Sequence, residues 1–140
     1  MAARVVFLDT SFIISLDNRD DPHHERAKQL DRELTAAGST CLLHWGILLE
    51  IADGFAKLGR RTRGMQMVEQ LVTEHGYALV AITAELLRDG LALYCSRPDK
   101  EWGLTDWISF VLMQQKKVQE ALTADHHFQQ AGFKALLLEP

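Results

Sequence analysis

Short apolar segments alternate with longer helical segments along this chain, and the alternation restricts its possible folds more than any other feature. The apolar segments are predicted as strands at 5–8, 40–44, 77–82, 118–123 and 133–138. Helices are predicted from about 22 to 37, and at 45–58, 62–75, 84–95, 105–117 and 124–131. Such alternation is typical of an α/β protein whose parallel sheet is covered by helices on both faces. We predict the strand order 3-2-1-4-5 in a single domain over residues 1–140.

The composition is that of one folded domain. Of the 140 residues, 47% are hydrophobic and 24% are charged, as in globular rather than disordered proteins. No apolar run approaches the roughly 18 residues of a membrane helix, and the first residues do not have the pattern of a signal peptide. Cys41 and Cys95 lack CxxC spacing and are interpreted as buried free thiols. The sequence therefore predicts a cytoplasmic protein without a membrane segment.

A cluster of cations contrasts with the acidic composition. The formal net charge of −4 argues against generic binding to nucleic acid. The cluster, which has no acid between its members, consists of Lys57, Arg60, Arg61 and Arg63. It is either a solvated turn between two helices or a surface that binds a substrate or partner, and the sequence leaves both interpretations open.

Three aspartates lie where predicted strands end or a predicted helix begins. Asp9 follows the first strand in VVFLDTSFI, and Asp125 follows the fourth strand in ALTADHHF. Asp106 lies in the first turn of a helix, directly after the cap candidate Thr105. Each has a structural explanation, because aspartate caps helices and complements the helix dipole. Ligands of open α/β sheets gather at the carboxyl ends of the strands, however, and three aspartates at that edge favour a shared site.

A fourth acid, Glu50, lies within the helix predicted after the second strand. Asp53 and Lys57 fall near the same helical face and form a favourable i,i+4 pair, so a solvated face is one explanation of this position. The apolar residues that surround Glu50 in ILLEIADG place it at the rim of a core, where a carboxylate is held rigidly. Both explanations stay open.

Several converging carboxylates indicate a site for a hard cation. Mg²⁺ prefers oxygen ligands, keeps several waters and needs only a few carboxylates. A metal of this kind activates water and stabilises a phosphate under attack. Zinc is disfavoured, since the chain lacks HExxH and adjacent histidines diverge on a helix. These adjacent pairs are His23 with His24, and His126 with His127. The absence of GxGxxG and of a P-loop motif disfavours a dinucleotide or nucleotide triphosphate site.

Taken together, the motifs resemble those of a PIN-domain ribonuclease of the VapC toxin type over nearly the whole chain. FLDTSFI resembles the first motif of that family, ILLEIADG the segment that carries its helical glutamate, and WGLTDWISFVLM its third motif. ALTADHHFQQAGFKALL resembles the fourth motif and the final strand. The resemblance implies an acidic catalytic site formed by Asp9, Glu50, Asp106 and Asp125.

The resemblance also implies what the site does. Asp9, Asp106 and Asp125 would hold Mg²⁺ or Mn²⁺, with Thr10 or Ser11 in support. The implied activity is metal-dependent endoribonuclease cleavage of an RNA substrate by the toxin of a type II toxin–antitoxin pair. Such proteins are usually homodimers held inactive by a cognate antitoxin, and the basic cluster would bind the substrate or this partner.

One departure from the family pattern affects the third motif. Gly103 and Trp107 fill positions where Ser and a small residue are more common in the family. This departure is expected to alter the lip of the pocket and to leave the acids unaffected.

Two alternatives remain. A haloacid-dehalogenase-like phosphatase also begins with a strand that ends in Asp, but it needs a second Asp where this chain has Ser11. A catalytically silent PIN domain that binds RNA or a protein partner is the other alternative, although four retained acids argue against it. Metal-dependent cleavage of RNA, without release of phosphate from small phosphomonoesters, would distinguish the nuclease from both.

Overall fold

The five strands form one parallel sheet, as described here from a computed structural model of residues 2–140. The strands are β1 (Val5–Leu8), β2 (Thr40–His44), β3 (Tyr77–Val80), β4 (Glu120–Leu122) and β5 (Lys134–Ala135). Their order in the sheet is β3-β2-β1-β4-β5, and each neighbouring pair is parallel. The predicted fold class and strand order are therefore confirmed. Met1 lies outside the described residues.

Seven helices connect or follow the strands within residues 2–140. They are α1 (Thr10–Asp17), α2 (His24–Ala36), α3 (Trp45–Gly54), α4 (Arg61–Thr73), α5 (Ala84–Ser96), α6 (Leu104–Gln115) and α7 (His126–Gln130). The sequence did not predict α1, which begins one residue after Asp9. Thr83 caps α5 as its position suggested, since its side chain accepts a hydrogen bond from Leu86 N. For α6 the cap residue is Gly103 and not Thr105, because the helix begins one residue earlier than predicted.

The central strand is buried on both sides. Successive side chains of a strand point to opposite faces, yet Val6, Phe7 and Leu8 are all at most 1% exposed. Helices must therefore cover both faces of the sheet, as the sequence predicted. Burying each of these side chains contributes on the order of 1.5–3 kcal/mol to folding, an upper estimate because unfolded chains are partly compact.

Register brings the ends of β1 and β4 together. Phe7 pairs with Ala121 and Leu8 pairs with Leu122. The backbone N–H of Asp9 then donates to Leu122 O over 3.2 Å. The residues that follow β1 and β4 are consequently neighbours at the carboxyl edge of the sheet.

Two predictions about smaller features need correction. Both cysteines are free, as expected, but Cys95 is exposed and Cys41 is half-buried. Trp107 does not lie at the lip of a pocket: it is 4% exposed and packs with Trp102 and Phe110 in an aromatic cluster. Among residues 2–140, no helix is long and apolar enough to span a bilayer.

Candidate active site

Asp9 is a buried carboxylate held by two hydroxyl groups. It occupies the cap position of α1, but its side chain makes no capping hydrogen bond. Instead Asp9 Oδ2 accepts from Ser11 Oγ at 2.9 Å and from Thr123 Oγ1 at 2.7 Å. Burial raises the pKa of Asp9, the two hydroxyl donors oppose this, and the charge of Asp125 raises it further. Helix capping thus fails to explain Asp9.

Thr123 connects Asp9 to the next acid along the sheet edge. While its hydroxyl donates to Asp9, it accepts from the backbone N–H of Asp125 at 3.0 Å. Ser11 Oγ strengthens the connection, since it accepts from Ala124 N at 3.0 Å. The sequence singled out Ser11 but missed Thr123. The only signal for Thr123 was a hydroxyl two residues before an aspartate, which by itself is common in turns.

Asp125 and Asp106 share one histidine. Asp125 caps α7, because its Oδ1 accepts from His127 N at 2.9 Å, so a structural role holds for this residue. The imidazole of the same histidine also contacts both acids. His127 Nδ1 donates to Asp106 Oδ2 over 2.9 Å and lies 3.5 Å from Asp125 Oδ1. One ligand atom from each of these three residues falls within 4.8 Å of the others. The sequence did not predict His127 as a site residue. Its adjacency to His126 argues against zinc, but it does not predict a contact with an acid on another helix.

The environment of Asp106 is that of a partly buried acid among other acids. Burial raises its pKa, the hydrogen bond from His127 lowers it, and the charges of Asp125 and Asp9 raise it again. The negative charges of Asp125 and Asp9 therefore disfavour the ionised form of Asp106, and a bound cation would offset this repulsion.

Glu50 lies at the solvent side of the same group. It is exposed, and its Oε1 accepts from Thr10 Oγ1 at 3.1 Å. Partial desolvation raises the pKa of Glu50, the Thr10 hydroxyl lowers it, and the charges of Asp9, Asp106 and Asp125 raise it. The two hydroxyl residues that follow Asp9 therefore support different acids, Thr10 the glutamate and Ser11 the aspartate.

The donor set suits a hard divalent cation. Four carboxylates, Asp9, Glu50, Asp106 and Asp125, supply oxygen atoms and an excess of negative charge within one region. Mg²⁺ and Mn²⁺ prefer such oxygen ligands and complete their octahedra with water. The cluster therefore fits a divalent metal site.

A buried histidine joins the helices that carry Glu50 and Asp106. His44 Nδ1 accepts from Gly46 N at 3.0 Å, so its proton is on Nε2, which donates to Ser109 Oγ over 2.8 Å. Ser109 Oγ in turn donates to Thr105 O at 2.9 Å. Burial lowers the pKa of His44 to about 4, which keeps the ring neutral. This chain fixes the start of α3 against the first turn of α6.

The four cations of the basic cluster do not share one environment. Arg60 and Arg63 both pair with Asp17, at 3.5 Å and 3.0 Å. Arg61 Nε donates to Ala56 O, and Lys57 is exposed. Of the four, only Arg60 lines the cleft of about 340 Å³ that also contains Thr10 and Glu50. The structure thus brings one cation of the cluster to the edge of the acidic site.

Comparison with known proteins identifies the family to which the chain is similar. Residues 6–134 match the PIN domain family. The chain is 27% identical over 133 residues to the 23S rRNA-specific endonuclease VapC20 of Mycobacterium tuberculosis, with 92% of this chain and 95% of the relative covered.

Solved structures show the same fold. The crystal structure of M. tuberculosis VapC20, described as a sarcin-ricin loop cleaving toxin, is 23% identical with a TM-score of 0.79 and covers 91% of this chain and 95% of its own. VapBC2 from Rickettsia felis, bound to a promoter DNA fragment, is 13% identical with a TM-score of 0.67 and covers 94% and 96%. A toxin–antitoxin complex from Klebsiella pneumoniae is 19% identical with a TM-score of 0.58 and covers 86% and 87%. With its parallel sheet, its acids at the carboxyl edge and a family match over almost its full length, the chain belongs to the PIN domain family.

Proposed function

We propose that this chain is a divalent-metal-dependent endoribonuclease that hydrolyses RNA phosphodiester bonds. The observation that carries the proposal is the convergence of Asp9, Asp106 and Asp125, with Glu50, at the carboxyl edge of the sheet. Family membership and a relative named as an RNA endonuclease support it. The domain would span residues 1–140.

The acids have distinct proposed roles. Asp9, Asp106 and Asp125 hold the cation, either Mg²⁺ or Mn²⁺, which when bound polarises a phosphoryl oxygen and lowers the pKa of water. Ser11 fixes Asp9 and Thr10 fixes Glu50 through the hydroxyl contacts described above. Glu50 is the most exposed acid of the group, and its carboxylate accepts the proton of the attacking water.

We propose RNA as the substrate and a cognate antitoxin as the partner, with the protein acting in the cytoplasm as a homodimer. The curated relative is named for its action on 23S rRNA, which makes this RNA the first substrate to test. A solved toxin–antitoxin complex of the same fold supports an antitoxin partner. The cations Lys57, Arg60, Arg61 and Arg63 would contact the phosphate backbone or an acidic segment of that partner.

The test uses purified protein and a pool of structured RNAs that includes intact 23S rRNA. Reactions contain Mg²⁺, Mn²⁺ or a chelator, and a parallel reaction offers a small phosphomonoester. We expect internal RNA cleavage with metal, none with chelator, and no phosphate release from the phosphomonoester. RNA binding without cleavage would indicate a silent module, and phosphate release would indicate a phosphatase.

A further inference from the structure

His127 lies between the acidic site and a tryptophan that no proposed step uses. The Trp102 ring packs against the imidazole with centroids 5.4 Å apart and planes inclined by 33°. Trp102 is itself 6% exposed, with Phe110 edge-on at 5.5 Å and Lys100 Nζ 5.0 Å from its ring centroid. The imidazole is therefore held on one side by a side chain that is fixed in the core.

The hydrogen bond of His127 makes Nδ1 a donor. An ionised carboxylate only accepts, so the 2.9 Å contact with Asp106 Oδ2 places the proton on Nδ1. A metal ligand nitrogen must instead be free of a proton. In this arrangement His127 Nδ1 acts on the carboxylates and is not itself a metal ligand.

His127 Nδ1 lies where it can offset the repulsion between Asp106 and Asp125. Asp106 and Asp125 have like charges and approach the same point, so each favours moving away from the other. His127 Nδ1 lies within 2.9 Å of one carboxylate and 3.5 Å of the other. Its backbone N–H also donates to Asp125 Oδ1 at 2.9 Å. One residue therefore restrains both acids.

We propose that His127 is a positioning residue, which holds the Asp106 and Asp125 carboxylates in the arrangement that a divalent cation requires, and that Trp102 fixes its ring. The inference rests on the proposed metal site. Outer residues that orient metal-binding carboxylates typically change metal affinity by 10–100-fold when removed.

Two substitutions separate the Nδ1 contact from the rest of the side chain. In His127→Asn the amide nitrogen takes the place of Nδ1, whereas in His127→Gln it takes that of Nε2. Calorimetric titration with Mn²⁺ at fixed neutral pH should show binding within about threefold of wild type for Asn and weakened about 10–100-fold for Gln. His126→Gln is the matched control, because His126 is exposed and contacts Gln129 instead of an acid, and it should bind as wild type does.

The role of Trp102 has its own pair of variants. Trp102→Phe keeps an aromatic face against His127, and Trp102→Leu removes it. We expect Mn²⁺ affinity close to that of wild type for Phe and weaker by about tenfold for Leu. Thermal melts identify any variant that does not fold, and the His127 pair tests the inference independently of Trp102.

Three results would overturn this inference. The first is equal Mn²⁺ affinity in His127→Gln and wild type, and the second is an equal loss in His127→Asn and His127→Gln. The third is a nitrogen hyperfine coupling to bound Mn²⁺ in protein labelled with ¹⁵N-histidine that is lost in His127→Asn, which would make His127 a direct ligand. Failure of the wild-type protein to bind Mn²⁺ at all would instead contradict the proposed function.

Discussion

Thr123 Oγ1 donates to Asp9 Oδ2 over 2.7 Å and joins the end of β4 to the end of β1. The two residues are far apart in the chain but adjacent at the sheet edge, and Thr123 is fully buried. A buried carboxylate is costly unless donors satisfy it, so this contact stabilises both the fold and the site.

Replacing this hydroxyl tests its contribution. Thr123→Val keeps the shape of the side chain but removes the donor, and a hydrogen bond to a charged group contributes about 1.5–3 kcal/mol. We expect the free energy of unfolding at pH 7.5, measured with urea and chelator, to fall by about this amount. Thr123→Ser retains the hydroxyl and should lose less than Thr123→Val. An unchanged free energy of unfolding in Thr123→Val would show that the hydrogen bond does not contribute, and a larger loss in Thr123→Ser than in Thr123→Val would show that the methyl group contributes more.

The pH dependence of stability tests the cost of burying these carboxylates close to one another. Asp9, Glu50 and Asp106 have raised pKa values, so the folded state binds their protons more tightly than the unfolded chain. Their contribution to stability is complete below their unfolded pKa of about 4 and is lost as pH rises through the raised folded values. Without metal, Asp9→Asn should therefore be more stable than wild type at pH 7, and this difference should shrink toward pH 4.

Titration of His44 changes the stability with pH in the opposite direction to titration of the acids. The test therefore compares the free energy of unfolding of Asp9→Asn with that of wild type at each pH. The pKa of His44 falls from 6.5 to about 4, and its stabilisation is lost as pH decreases through that window, by about 3 kcal/mol in total. The His44 contribution is the same in both proteins, so it cancels in the difference between Asp9→Asn and wild type.

Mn²⁺ at a hundred times its Kd should stabilise wild type by about 2.7 kcal/mol and stabilise Asp9→Asn much less. An Asp9→Asn protein that is less stable than wild type at pH 7 without metal would contradict a net cost of burying the Asp9 charge.

Gly46 is required by the packing of His44. A Cβ at Gly46 would lie 2.7 Å from His44 Cε1 and 2.9 Å from Nδ1, and the ring cannot retreat because Ser109 holds it. Gly46→Ala should lower the free energy of unfolding by about 1–3 kcal/mol. Gly54→Ala is the matched control in the same helix, since nothing lies within 4 Å of its added Cβ. It should be neutral or stabilising by up to about 1 kcal/mol, and similar losses in both variants would contradict this account.

Among residues 2–140, Lys57 and Arg61 have no acidic partner, and these two exposed cations provide a test of the basic cluster. Arg60 and Arg63 are tied to Asp17, so reversing them would also disturb an ion pair. Reversal of Lys57 and Arg61 to Glu avoids this and should weaken RNA or antitoxin binding, most strongly at low salt.

The matched control reverses Lys116 and Lys134, which are exposed and lie at the other end of the sheet and of α6. Fluorescence anisotropy with labelled RNA or antitoxin at two salt concentrations gives the comparison. Equal binding by both double variants would favour the interpretation of the basic cluster as a solvated turn that binds neither RNA nor antitoxin.

Local pattern was enough to predict most of the sheet and where its acids fall. Asp9 and Asp125 directly follow apolar runs, so a parallel sheet in the right order brings them together without further information. Helix α1 was missed because its eight residues follow the first strand so closely that the apolar run does not show where one ends and the other begins.

Contacts between residues that are far apart in the chain could not be predicted from the sequence. Nothing in ALTADHHF distinguishes His127, which reaches Asp106 on another helix, from His126, which does not. Trp107 was expected at the lip of the pocket because it fills a position of the third motif where a small residue is more common, but the turn of the helix directs it into the aromatic core. Such placements depend on how helices pack, and one chain alone does not reveal this.

The most direct test of the central claim is RNA cleavage by wild type and Asp106→Asn in the same Mn²⁺ buffer. The amide keeps the shape of the side chain but removes the charge that would hold the cation, so the two proteins should have similar circular dichroism spectra and both should unfold cooperatively. We predict that wild type cleaves internally in Mn²⁺ and not with chelator, while Asp106→Asn cleaves in neither. Cleavage by Asp106→Asn at the wild-type rate, or by wild type with chelator, would contradict a metal-dependent nuclease at this site.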